Sequence, residues 1–311
     1  MQYNWFEKAS PLTKMLLMLI LMACSVFVAF FISILLAMPF THKSMSELFL
    51  SAADIYNLNN IGLLKYLQIV QSVALFIIPP LIVVRLFGAE PKQYLNLVKR
   101  PRIISLAIVV VIVLSAIPFI NFLEDVNAKM KLPSVLSGLE NWMKDSEKNA
   151  AFLSEIFLRG NGIGALSFNL LMMAILPAIG EEMVFRGVFQ KLFTELCKNK
   201  HLGIIFSAAL FSALHLQFYG FVPRMMLGVI FGYLLVWSGS LWVPIAAHFV
   251  NNTMGVLFYY FHNQGVVGNQ LQTAGTEKGD HFLVALSAFA VIALIWLFYN
   301  YEEKFKKLKN V

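Results

Sequence analysis

Residues 170–189 read LLMMAILPAIGEEMVFRGVF, and they set two carboxylates and one guanidinium inside an otherwise apolar run. A charge at mid-membrane costs about 2.5–3.5 kcal/mol on insertion scales, so such groups persist where they pair, line a cavity or do chemistry. The spacing separates the three. Glu182 and Arg186 are four apart, share a helix face and can neutralise each other. Glu181 is five before Arg186 and points elsewhere. Two readings follow: a structural ion pair with a spare carboxylate, or a site.

The surrounding chain decides the fold class. Of its 311 residues, 59% are hydrophobic and 13% charged, whereas a soluble domain carries about 25% charged residues. The apolar residues fall in long runs, and a run of about 20 crosses the hydrocarbon layer as a helix. The runs lack the alternation of a membrane barrel, so helices must satisfy the backbone. The expectation is an all-α, polytopic transmembrane helix bundle of about eight spanning helices. They fall at Met15–Met38, Leu63–Phe87 (interrupted by Pro79–Pro80), Ile103–Leu123, Ile163–Leu196 (broken in character near Pro177–Gly180), Leu202–Phe218, Arg224–Trp237, Leu241–Phe261 and Phe282–Tyr299. The fifth and sixth are short enough to be a tilted or re-entrant hairpin. Between the third and fourth, Leu136, Leu139, Trp142, Phe152 and Ile156 are spaced as in surface helices lying at the interface. The chain divides into N-terminal helices and interfacial loop (1–162), a core (163–262), and a last helix with a basic tail (263–311).

The formal net charge is +7, but the basic residues sit in short clusters between apolar runs. That pattern reads as topology and contact with the lipid bilayer, not as a nucleic-acid footprint. The clusters are Lys8 and Lys14; Lys92, Lys99, Arg100 and Arg102; Lys191 to Lys200; and Lys304, Lys306, Lys307 and Lys309. All agree with one integral, multi-pass topology in which both termini are cytoplasmic. The first apolar stretch is too long for the hydrophobic region of a cleavable signal peptide. Cys24 and Cys197 have no partner at metal-ligand spacing, and no disulfide is expected.

Three further polar residues join the first three. His215 ends Phe211-Ser-Ala-Leu-His215; His248 and Asn252, four apart, share one face of the seventh span. Read singly, His215 is an interfacial histidine, and the His248/Asn252 face is hydrogen-bonding glue between helices. Their depths join them. Glu181 lies about 25 Å of helix before Lys198, His215 about 22 Å after Lys200, and Asn252 about 20 Å beyond Gly239. One shared, water-reachable cavity would explain all of them. A buried carboxylate suits general-base work. A nearby histidine can hold the attacking water, and a histidine and an amide one turn apart can donate to an oxyanion. Glu181, His215 and His248 are also of the types that bind zinc, although their spacing is not that of a one-helix HExxH site.

The stretch Glu181-Glu182-Met-Val-Phe-Arg186 resembles the EExxxR motif of the CPBP family of intramembrane proteases, which includes the CAAX prenyl proteases. Phe211-Ser-Ala-Leu-His215 resembles its FxxxH motif, and His248-Phe-Val-Asn-Asn252 its HxxxN motif. They stand in the family's order on successive apolar helices, within residues 163–262. The resemblance implies an intramembrane endopeptidase with Glu181 as the base that activates water and His215 as its partner. It further implies His248 and Asn252 as an oxyanion site, with Glu182 and Arg186 in support. It leaves open a zinc-dependent or a metal-free glutamate mechanism. The implied substrate is a protein or peptide, prenylated at a CAAX tail in some members. Other members are linked to bacteriocin immunity or to scaffolding without catalysis, and these form the alternative reading. An ion-coupled transporter is a third, since buried Glu and His also build proton relays. The loop charges suggest a site opening toward the cytoplasmic, basic side.

Overall fold

The computed structural model describes residues 6–309. Ten helices carry the fold. Helix α1, Pro11–Thr41, starts where Ser10 caps the backbone N–H of Thr13. Helix α2, Met45–Ala53, opens with a reciprocal capping box between Ser44 and Glu47. Then come α3, Leu58–Leu86, α4, Ile103–Ala128, and the amphipathic α5, Ser137–Leu158. The core follows as α6, Gly162–Cys197, α7, Lys200–Ala213, α8, Phe218–Ser238, and α9, Trp242–Asn263. The chain closes with α10, His281–Lys309.

Among the described residues six helices (α1, α3, α4, α6, α8 and α10) are long and apolar enough to cross a membrane. By length and composition the expected count of about eight is not confirmed. Helix α9 has the length, at 22 residues, but its own polar face of His248, Asn251 and Asn252 lowers its hydropathy. Helix α7 is 14 residues, about 21 Å, short of the hydrocarbon thickness. The expected break at Pro79–Pro80 is absent. A π turn at Val73–Ile77 directly precedes the prolines, and its wider winding accommodates rings that would otherwise strike the carbonyls four residues back. A second π turn, Leu171–Ile175, does the same before Pro177.

Helix α6 is the centre of the bundle. Its Val184, Phe185, Val188 and Phe189 meet Met15 and Met18 of α1 and Val83 and Val84 of α3 in one cluster. Helices α4, α8, α9 and α10 form a second around Val109, Ile112, Phe231, Leu234, Val243 and Phe298. In lipid this association rests on packing, so small residues at close crossings matter. A Cβ on Gly180 would stand 2.6 Å from that of Phe76, and one on Gly228 would stand 3.0 Å from that of Ala208. Larger residues would push α6 off α3 and α8 off α7.

The two ends of the bundle differ. At the basic end, loop 95–102 is bound to the α8–α9 turn. Ser240 Oγ donates to the Lys99 carbonyl (2.5 Å), Trp242 Nε1 to that of Leu97 (2.9 Å), and Lys99 Nζ to that of Ser238. At the remote end, Asn127 of α4 clasps the start of α8, donating to the Phe218 carbonyl and accepting from Val222 N–H, both at 2.9 Å. Helix α5 lies on the same turn: Glu147 accepts from Tyr219 N–H (3.3 Å), and the Trp142 and Phe218 rings are 5.2 Å apart.

Candidate active site

Glu181 and Glu182 stand where α6 passes into a third π turn, Met183–Phe189. Such turns recur at functional sites because they re-aim side chains without ending the helix. Glu182 is fully buried. Its Oε1 accepts from Arg186 Nη1 at 2.7 Å and from His248 Nδ1 at 2.9 Å. The other arm of Arg186 donates to the Gly228 carbonyl (3.2 Å), and its guanidinium lies over the rings of Phe211 (4.6 Å) and Phe231 (5.5 Å). A Cβ on Gly228 would also come within 3.2 Å of Arg186 Nη2, so glycine is what admits the guanidinium. The expected Glu182–Arg186 pair is therefore present, and His248 completes it as a buried triad.

Glu181 faces the other way, into a cavity of about 330 Å³ whose lining includes His215, His248 and Asn252. Its Oε2 is buried with no hydrogen-bond partner among the described residues. Two imidazole nitrogens face that atom, His248 Nε2 at 3.7 Å and His215 Nε2 at 3.9 Å. The tautomers follow from the opposite ring atoms. His215 Nδ1 lies 2.7 Å from the Phe211 carbonyl, which can only accept, and His248 Nδ1 meets the Glu182 carboxylate. As a neutral imidazole, each ring would spend its N–H away from the cavity and present a lone pair toward Glu181. Three acceptors converge on a small polar space, which is where a water with two hydrogens to give would sit. Asn252 Nδ2 donates to the Met173 carbonyl at 3.2 Å, and Asn251 Nδ2 to Asn252 Oδ1 at 3.3 Å.

The donor types would suit zinc; their placement is slightly wider than a tetrahedral site asks. Ligands at about 2.0–2.2 Å on a tetrahedron lie about 3.3–3.6 Å apart. Both separations from Glu181 exceed that, and among the described residues no group of three His, Cys, Asp or Glu is arranged to hold a metal.

Two lining residues escaped the sequence reading. Glu124, near the end of α4, and Arg224, in the first turns of α8, share the cavity with Glu181. Arg224 donates to the side chain (2.8 Å) and carbonyl (3.3 Å) of Gln217 and forms no ion pair among the described residues. The available signal was the one that flagged Arg186, a charge within an apolar run. The opening also departs from expectation. Glu124, His215, Gly220 and Arg224 lie toward the α7–α8 turn, the end remote from Lys99 and Arg102. The cause is the shortness of α7, which leaves a recess beyond its C-terminus that the ends of α4 and α8 wall in.

Comparison with known proteins bears on the same helices. Residues 163–254 match the family model of type II CAAX prenyl endopeptidases, Rce1-like. The uncharacterized protein YpbD of Bacillus subtilis (strain 168) is 30% identical over 86 residues, 26% of this chain and 41% of that protein. An uncharacterized 24.3 kDa protein of Escherichia coli is 29% identical over 111 residues, 34% of this chain and 51% of that protein. The chain thus spans about half, or less, of the length of these relatives. No solved structure matches. The family match falls on the helices that build the Glu181 cavity, in a chain whose described residues include six apolar helices of membrane-spanning length, and over residues 163–254 this integral membrane protein is similar to the Rce1-like, CPBP-type proteases.

Proposed function

We propose that the chain is an intramembrane endopeptidase that uses Glu181 to activate water without a metal. The observation that carries this is the unpartnered Glu181 Oε2 with two imidazole lone pairs facing it in a cavity. A water that directs one hydrogen to a histidine lone pair, of His215 or His248, and the other to Glu181 Oε2 gives that second proton to Glu181 as its oxygen bonds to the scissile carbonyl carbon. The carbonyl oxygen becomes an oxyanion, which Asn252 Nδ2 meets by turning from the Met173 carbonyl. Collapse restores the C=O bond, breaks the C–N bond and passes the Glu181 proton to the departing amine. His248 can donate from Nε2 to the oxyanion only as an imidazolium, held between Glu182 at 2.9 Å and Glu181 at 3.7 Å. Its other contribution is positional, through Glu182 and Arg186.

The substrate reading is C-terminal processing of a lipidated protein or peptide. A second, mostly apolar cavity of about 300 Å³ adjoins the first, sharing Ile120, Leu227 and Asn251 with it and continuing along Val113, Ile117 and Phe258. A hydrocarbon chain in this groove would place the attached peptide beside Glu181. Arg224 supplies the cavity with a cation for a terminal carboxylate.

The test is cleavage of quenched peptides, lipidated and unlipidated, by wild type, Glu181→Gln and His215→Ala in liposomes, each with and without chelator. Loss in both variants and indifference to chelator are expected. Chelator-sensitive cleavage would reinstate zinc on Glu181, His215 and His248. Intact biological function in Glu181→Gln would favour the scaffold or immunity reading, and uptake driven by a proton gradient the transporter.

A further inference from the structure

At the opposite end of the bundle from the Glu181 cavity, two further cavities meet. The first, about 410 Å³, is lined by Lys99, Arg100, Arg102, Ser238, Ser240 and Glu302. The second, about 550 Å³, is mainly apolar and runs along Leu97, Leu106, Trp242, Ile245 and Phe249. They share Arg100 and Pro101, so a basic chamber opens directly onto an apolar groove between α4 and α9.

Three cations and one carboxylate line the chamber, and the carboxylate is already committed. Glu302 is buried and accepts from Ser105 Oγ at 2.5 Å and from Arg102. Arg102 is fixed by that pair and by the Phe305 ring, 4.3 Å from its guanidinium. Helix α4 begins beside the chamber with Arg102 as N-cap and no side-chain cap on its first N–H groups, which adds a positive helix end. Among the described residues nothing else that lines the chamber is acidic. The groove is open on its outer side: Ile103 is 78% exposed and Trp242 39%, and an indole at that level is characteristic of the membrane–water boundary.

A cationic chamber continuous with a membrane-facing apolar groove matches one class of ligand, an anionic amphiphile. We propose that this is a site for an anionic phospholipid, its phosphate held by Lys99, Arg100 and the start of α4 and one acyl chain laid along Leu106, Trp242, Ile245 and Phe249. The shape of the site favours a lipid over free phosphate, because half of it would have no guest if only a headgroup bound. Ile245 is one turn before His248 on α9, so an occupied groove would also steady the helix that carries two site residues.

The experiment compares purified protein with added phosphatidylglycerol, phosphatidylcholine and glycerol 3-phosphate, reading lipid retained by native mass spectrometry and the melting temperature in detergent. Two variants address the two halves. Lys99→Gln/Arg100→Gln removes charge and leaves the Arg102–Glu302 pair intact; Ala246→Phe fills the groove and keeps every charge. Wild type should retain phosphatidylglycerol over phosphatidylcholine and melt higher with it. The charge variant should bind it about thirtyfold more weakly, from about fivefold per lost cation, and the groove variant should lose retention with its fold unchanged by circular dichroism. Equal retention by wild type and both variants would overturn the site. Equal stabilisation by glycerol 3-phosphate would make it a phosphate site instead, and equal retention of phosphatidylcholine would leave only a general lipid groove. None of these outcomes depends on proteolysis.

Discussion

Glu181 and Glu182 are neighbours in the chain, yet the structure surrounds them in opposite ways. Glu182 is 0% exposed and gives one oxygen to both Arg186 and His248 in a dry region closed by the rings of Phe211 and Phe231. Glu181 is 8% exposed and presents an oxygen without a hydrogen bond to a cavity faced by two imidazole nitrogens. The first arrangement holds three helices in register, with its other oxygen, Glu182 Oε2, shut in without a partner among the described residues; the second opens its unpartnered oxygen to a cavity, where it is free to take a proton. The same residue type one position apart is thus a structural support on one side of α6 and the proposed reagent on the other.

Substitutions that exchange a carboxylate for its isosteric amide should separate the two regions. The largest effect is expected for Glu181→Gln, which removes the base and should lower kcat by about 10⁴-fold, the upper range for general-base catalysis. Its melting temperature in detergent should stay at the wild-type value, because no hydrogen bond of Oε2 is lost. Cleavage at the wild-type rate would remove Glu181 from the chemistry.

Next in size is Arg186→Met, which leaves the Glu182 carboxylate buried against His248 alone. Breaking one member of a buried ion pair costs about 3–5 kcal/mol, so this variant should unfold at markedly lower denaturant or temperature. Adding Glu182→Gln should restore much of the loss, since the stranded charge goes with it, while activity stays low because a neutral amide oxygen holds His248 less firmly than the carboxylate does. A double variant no more stable than Arg186→Met would show that the triad acts through packing and not through charge. Asn252→Ala should follow, with kcat down by about 10²–10³-fold, the usual loss for one oxyanion donor, and KM little changed. A KM effect alone would return Asn252 to its observed role of tying α9 to the Met173 carbonyl on α6.

What could be read from the chain divides along similar lines. Membrane helices were legible because long apolar runs have no other use, and the Glu182–Arg186 pair because a spacing of four admits few geometries. The convergence of α6, α7 and α9 was legible as similar depths. The helix count was not, since α9 carries its polar face inside a span and α7 stops after 14 residues. Nor was the partner of His248: its bond to Glu182 depends on the rotation of α9 about its own axis, which periodicity leaves undetermined. The three π turns were invisible for a related reason, because they change winding and not composition. The direction of the cavity was misjudged because loop charge reports on orientation in the bilayer, whereas the recess is made by the length of α7.

Arg224 gives the smallest and most discriminating test. It is half-buried in the first turns of α8, where the helix dipole disfavours a cation, and its only hydrogen bonds among the described residues are to Gln217. With Glu124 across the cavity and outside ion-pair distance, the guanidinium keeps donors for a guest. If that guest is the carboxylate of a peptide C-terminus, Arg224→Gln should raise KM for a free-acid peptide about tenfold, the low end for a charge-assisted hydrogen bond at a half-exposed site. KM for the C-terminally amidated peptide should move less than twofold, and kcat for both should hold. Equal losses for acid and amide would assign Arg224 to the α7–α8 turn through Gln217. A selective loss would make the recess beyond α7 the place where the chain end is read, before Glu181 acts on the bond behind it.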